Sequence, residues 1–467
     1  MAYSQSQEGD GVEAQLAAIN GLASDEIVRL LLQRTEVERS QRRRKVFRQV
    51  IRRCLARGIS DLWTRLSLDG LIADIKRPSF RRKVLFLCIL PTFNMVRESI
   101  FLRRRGFETI LLTENPWMAS FNEPYFDHVH VYDSRYDVAR VLRDTVPYVV
   151  HVQGAMCISD YYGVLAKLLS RSPVVVEFFD VAGLSLSLVD AIELFGPVDA
   201  KLGFFAEEFV CKHADGIIVG YSSTALEILK TRYSVKVPML EFHAYACEEF
   251  SHDSHARYSE RDGQIHLVYG GNVARSTLPA RLFGDVQFHG LIEKVTRQGI
   301  HLAFYSSPLL SRLRTRQFLS DYFTLARENP RFRFHAGIPL DQATREFGKY
   351  DFGAMIYLFD RGTFQSEHNQ GRLPGKFFTY LEAGLPLVVS EELAYVAEHV
   401  RKYDIGVVVS QRDLGSLAEI LSRCDMDRLR HNVQMARREL SMEQHIGRLV
   451  SFYETVAGSK RRRVGDT

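Results

Sequence analysis

GRLPGKFFTYLEAGLPLVVS (residues 371–390) reads as a short helix that hands over directly to a buried strand. Pro374 stands where a first helical turn tolerates a missing N–H, and Gly384 where helices end in the left-handed region. Pro386 blocks continuation, and Leu387, Val388 and Val389 form an apolar run suited to burial on both faces. Phe377 and Leu381 share one side of the helix, while Lys376, Thr379, Tyr380 and Ala383 share another. Unpaired N–H groups at a helix start, followed at once by a lysine, suit a phosphate. The same letters also suit an ordinary crossover helix with a solvated lysine, and locally both readings stand. Either way, a helix feeding a doubly buried strand is the repeating unit of a parallel α/β sheet.

The same alternation extends outward. Strands are expected at 83–90, 108–113, 128–133, 148–153, 173–180 and 216–220, with helical segments between them. A second series has strands at 265–271, 300–306, 332–337, 352–358, 387–390 and 406–410. Between the series lies EEFSHDSHARYSERD (248–262), polar and without apolar periodicity. The expected organisation is a helical basic extension over 1–80, a Rossmann-like domain over 81–250 and a linker over 251–262. A second Rossmann-like domain follows over 263–440, then a helix crossing back over 441–458 and a basic tail over 459–467. The fold class is α/β: two doubly wound parallel-sheet domains facing a cleft, ligands binding beyond the carboxyl ends of the strands.

Bulk properties agree with this plan. A chain of 467 residues exceeds what one core organises, and 46% apolar with 25% charged residues is globular composition. No apolar run approaches the roughly 18 residues of a membrane span, and MAYSQSQEGDGVEAQ lacks a secretory leader's pattern. Six scattered cysteines (54, 88, 157, 211, 247, 424) form neither a CxxC nor a ligand cluster, so a reducing, cytosolic setting is expected. The net charge of +5 is unevenly spread, with nine Arg and Lys between Arg39 and Arg57. There Val46, Phe47, Val50, Ile51, Cys54 and Leu55 make an apolar stripe on a basic helix. Residues 39–57 therefore suit an anionic membrane surface, giving a peripheral location on the inner face, or docking on the protein's own body. No nucleic-acid module is recognisable.

Four stretches resemble the GT-B glycosyltransferases, above all glycosyltransferase family 4. HADGIIVGYSSTALEIL (213–229) is similar to that family's strand and helix near the end of the first domain, and VVVEFFD (174–180) to the strand before it. LPGKFFTYLEAGLPLVVS (373–390) is similar to its donor-site helix, and FRFHAGIPLDQATREFGKYDFGAMIY to the unit preceding that helix. The likeness runs in order over roughly 83–457. It implies a nucleotide-sugar donor, a glycan, lipid-linked or protein acceptor, retention of configuration, and Lys376 at the donor diphosphate. Family members often carry two glutamates eight positions apart where this chain has Gly371 and Thr379. Glu382, about 60° round the helix from Thr379, and Glu367 are the nearby carboxylates.

The chemistry requires cations and N–H groups at a departing diphosphate. Neither a metal nor a cofactor is expected, because no Asp-x-Asp stands at a strand end. In YGGNVARS (269–276), Gly271 allows close backbone approach, and Asn272 and Arg275 are placed to meet phosphate or sugar; Arg372 is a further cation. Thr379 and Glu382 complete the expected donor-side set. In the first domain His151, expected at a strand end facing the cleft, and Asp180 are the catalytic candidates beside Lys376. Two other functions fit the same letters: a GT-B binding or scaffold subunit that has lost transfer, and a nucleotide-sugar epimerase.

Overall fold

A computed structural model describes residues 68–465, apart from 116–118, 120–121, 133, 252–255, 307–312, 336 and 360–366. The basic segment 39–57 and most of the expected extension lie outside the described residues.

The chain divides into two compact units. The first runs through Gly220 and takes in Thr224–Phe242 and the chain from Ile446 onward; the second is Tyr221–Ser223 with His243–His445. The second unit thus begins at His243, ahead of the segment expected to act as a linker.

Among the described residues, the first unit holds a seven-stranded sheet in the order β3-β2-β1-β4-β5-β6-β7. These are Arg82–Cys88 (β1), Phe107–Thr113 (β2), His128–Val131 (β3), Val149–Ala155 (β4), Val174–Asp180 (β5), Gly216–Val219 (β6) and Met239–Glu241 (β7). Every pairing is parallel. The inner strands are buried almost end to end, as a sheet covered on both faces requires, while the edge strands β3 and β7 are largely half-buried. Register sets His151 beside Phe86 on one neighbour and Val175 on the other, with Gln153 beside Glu177. A helix at Leu68–Lys76 is the described part of the extension. Buried Lys83 donates to the carbonyls of Ile75 (3.1 Å) and Arg77 (2.7 Å), placing a cation at that helix's carboxyl end.

The second unit holds six parallel strands in the order β10-β9-β8-β11-β12-β13. They are His266–Gly270 (β8), His301–Tyr305 (β9), Phe332–His335 (β10), Phe352–Met355 (β11), Leu387–Ser390 (β12) and Gly406–Val409 (β13). Strand order turns back between β8 and β11, the position at which open α/β sheets bind ligands.

The last helix, Met442–Gly465, continues through what was expected to be a basic tail. Lys460 explains part of this: its Nζ lies 2.5 Å from the Ser172 carbonyl and 3.5 Å from Asp215 Oδ2.

Candidate functional site

The helix Gly375–Glu382 follows Pro374, whose extended backbone (φ −73°, ψ 153°) breaks the preceding chain, and no side chain caps its start. Of its first-turn N–H groups, that of Phe377 donates to Pro374 O (2.9 Å), while those of Gly375 and Lys376 precede the first intrahelical bond. At the other end Gly384 (φ +69°) closes a complete Schellman motif. Its N–H donates to Leu381 O (3.1 Å), and that of Leu385 to Tyr380 O (2.9 Å).

Tyr380 fixes this helix over the sheet. Its hydroxyl accepts from Gly270 N (2.9 Å) and donates to Ala354 O (3.2 Å), tying β8 to β11. The ring lies against Gly353, where an added Cβ would clash with Tyr380 Cγ. Only glycine permits this approach.

Lys376 consequently stands at the carboxyl ends of β8 and β11. Its Nζ donates to the hydroxyls of Tyr269 (3.1 Å) and Tyr357 (2.9 Å) and lies 4.2 Å from the Tyr269 ring centroid. The two rings strip water from the ammonium, and the Arg372 charge acts in the same direction. Together they pull its pKa from 10.5 down to about 7, although Asp285 acts in the opposite sense. Burial raises the Asp285 carboxyl, against the hydrogen bond from Asn369. A Cβ on Gly271 would lie 2.9 Å from Lys376 Nζ, so backbone and ammonium converge at this point. Arg372 donates to His368 Nε2 (3.2 Å), and His368 Nδ1 pairs with the Tyr221 hydroxyl (2.6 Å). That pairing orients the imidazole toward the guanidinium.

Lys376, Arg372 and Gly271 therefore come together as the sequence suggests. Others have different roles. Glu382 is fully buried and accepts from Cys247 N (2.7 Å), so it cannot stand in for the absent family glutamates. Thr379 is buried and donates back to Gly375 O (3.1 Å). Asn272 uses its carbonyl to accept from Tyr269 (2.8 Å), leaving its side chain at the surface. Arg275 stacks on Phe318, 4.5 Å from the ring centroid.

In the first unit Asp180 ends β5 and is partly exposed. His151 departs from expectation. It lies mid-strand in β4 with no exposed surface, packed 4.9 Å from the Phe86 ring, rather than at a strand end.

Sequence reasoning missed Tyr269, Tyr357, Asp285, His368 and Tyr221. The two tyrosines at strand ends beside a lysine helix were a usable signal. Asp285 lies in a short irregular stretch with none.

Neither a protein-family model nor a curated protein matches the chain. Among solved structures it is similar to an O-GlcNAc transferase of Thermobaculum terrenum, at 12% identity and a TM-score of 0.50, covering 82% of this chain and 69% of that one. It is also similar to MnaA of S. aureus in a co-structure with UDP (13%, TM-score 0.49, 79% and 97% covered). A third is an α,α-trehalose-phosphate synthase of Burkholderia xenovorans (9%, TM-score 0.49, 80% and 100% covered). With the two all-parallel sheets, the first likeness bears out the α/β, GT-B-type fold class. At such identities it reaches no further than the fold.

Proposed function

We propose that the chain is a glycosyltransferase that moves a sugar from a nucleotide-sugar donor to a glycan, lipid-linked or protein acceptor. The observation that carries this reading is Lys376: an ammonium at an uncapped helix start, at the switch point of a parallel sheet, with a second cation nearby. Transfer breaks the bond between the anomeric carbon and the diphosphate oxygen and forms one to an acceptor oxygen, whose proton is lost. The departing diphosphate gathers negative charge. Lys376, Arg372 and the first-turn amides meet that charge, and the ammonium is worth more there because the tyrosines have desolvated it. A diphosphate returns the lysine to its charged form. Retention of configuration, as the family resemblance implies, requires no protein nucleophile, and Asp180 is the carboxylate proposed to face the acceptor.

One observation favours a second reading, a binding subunit that has lost transfer. The family's two glutamate positions are Gly371 and Thr379, and the nearby Glu382 is committed to backbone. Product analysis with a panel of nucleotide sugars, with and without acceptors, separates the readings. Transfer gives acceptor-dependent nucleoside diphosphate release that Lys376→Ala abolishes. Binding without release in the wild type supports the subunit, and isomerised donor without acceptor supports an epimerase. A membrane-facing acceptor depends on residues 39–57 and predicts sedimentation with anionic vesicles.

A further inference from the structure

The first unit buries an unusual group of side chains under its sheet. Glu98, on the helix Phe93–Arg104, His151 on β4 and Glu177 on β5 are 1%, 0% and 3% exposed. One ligand atom from each lies within 4.8 Å of the other two. His151 Nε2 is 3.5 Å from Glu177 Oε2, and His151 Nδ1 is 3.8 Å from Glu98 Oε2. Neither Glu98 oxygen has a hydrogen-bond partner among the described residues, nor do His151 Nε2 and Glu177 Oε2. Only the outer oxygen of Glu177 is served, by Asn94 Nδ2 at 3.1 Å. Two carboxylates brought together out of water repel each other and lose hydration; something positive must stand between them.

We infer that Glu98, His151 and Glu177 form a buried structural site for a divalent transition-metal ion, with zinc the best match. Ligand atoms from the three residues lie within 4.8 Å of one another, unserved lone pairs remain on all three, and two carboxylates with one imidazole are a zinc-type donor set. Ligands about 2.0–2.1 Å from a tetrahedral ion stand roughly 3.4 Å apart, close to the Nε2–Oε2 separation, so only Glu98 has to draw in. The surroundings supply the outer support that such ligands need. Tyr453 on the last helix lies 2.6 Å from His151 Nδ1. With Nδ1–H donating to that hydroxyl, the Nε2 lone pair is left facing Glu177, the tautomer a metal requires. The bound ion would join the helix Phe93–Arg104 to β4 and β5 and, through His151, to Tyr453. All ligands are covered, so the ion enters as the unit folds and takes no part in sugar transfer. The sequence gives no hint of the site because its ligands stand at 98, 151 and 177, on three separate elements.

The test uses the full chain, purified with its affinity tag removed and desalted. Elemental analysis is expected to find about one zinc per chain, lost in Glu98→Gln and Glu177→Gln. Replacement by Co2+ should give visible d–d absorption bands that report imidazole and carboxylate ligation. If the variants do not fold, the wild type decides: dialysis against a chelator lowers its melting temperature, and added Zn2+ restores it. A chain that carries no metal, and whose melting temperature is unmoved by Zn2+, Co2+ or Mn2+, overturns the proposal. The carboxylates would then be held together by a shared proton.

Discussion

The two units gather titratable groups beside the reversal of their strand order, yet handle charge there in opposite ways. In the second, Lys376 is half-buried at the strand ends, where desolvation and the Arg372 charge pull its pKa down to about 7. In the first, Glu98 and Glu177 lie below the strand ends with almost no exposed surface, and burial and mutual repulsion hold Glu98 well above the usual carboxylate range. Similar topology therefore holds a half-buried lysine at the strand ends in one case and a covered polar core in the other. Depth along the strand separates them: Lys376 meets residues at and beyond the ends of β8 and β11, whereas His151 is the third residue of β4.

The strongest way to break this comparison is to remove the ammonium. Lys376→Ala is expected to lower affinity for a nucleoside diphosphate by about 100-fold, or roughly 2.7 kcal/mol, measured by titration calorimetry. An unchanged affinity would remove the second unit's claim to be the donor side. Next in size is Gly353→Ala, which forces a methyl group into the Tyr380 ring. Overpacking of this kind costs about 1–3 kcal/mol in urea denaturation, and the helix carrying Lys376 shifts with it, so ligand affinity falls too. Glu382→Ala sharpens the contrast between structure and site. It strands the Cys247 N–H and costs about 1–3 kcal/mol of stability, while diphosphate affinity stays within a factor of about two; a large affinity loss would return Glu382 to the donor site.

Two smaller effects follow from the depressed lysine. Because a diphosphate favours the protonated form, binding takes up a proton, and affinity declines as pH rises above about 7, by at most roughly tenfold per unit. A pH-independent affinity between 6 and 9 contradicts the assignment. Without ligand the sign is different. The folded pKa lies below the unfolded one, so between about 7 and 10.5 the unfolded chain holds more protons and this group's stability cost lessens as pH rises. Lys376→Met is therefore expected to stabilise the ligand-free protein at neutral pH by about 1 kcal/mol, roughly 2–4 °C in melting temperature.

Much of the fold was legible because its signal is local. Doubly buried strands such as LVVS at 387–390 and VVVEFF at 174–179 open on apolar runs of three, and the helices between them have recognisable ends. The strand β7 escaped notice since MLE is three residues long and only half-buried. The helix expected at 279–297 is in fact a turn at Ala280–Phe283, a 3-10 segment and a helix at His289–Thr296. Gly284, the residue that closes the first turn, lies inside that span. For the site, Lys376 was readable from its helix start. Its partners were not, because Tyr269 lies 107 positions away and the sheet alone brings them together. His151 was misjudged for a related reason: a strand's letters give its alternation but not how far along it the solvent begins.

The Tyr380 hydroxyl has a consequence for the order in which the molecule comes into being. Its bond to Gly270 spans 110 positions, and the lysine it positions is held by tyrosines on both sides of the switch point. Contacts of such separation form late, after the loop-closure cost of aligning β8 and β11 has been met. A nascent chain thus cannot hold Lys376 between Tyr269 and Tyr357 when β8 and β9 first pair. That arrangement is reached only when the helix Gly375–Glu382 settles on the sheet.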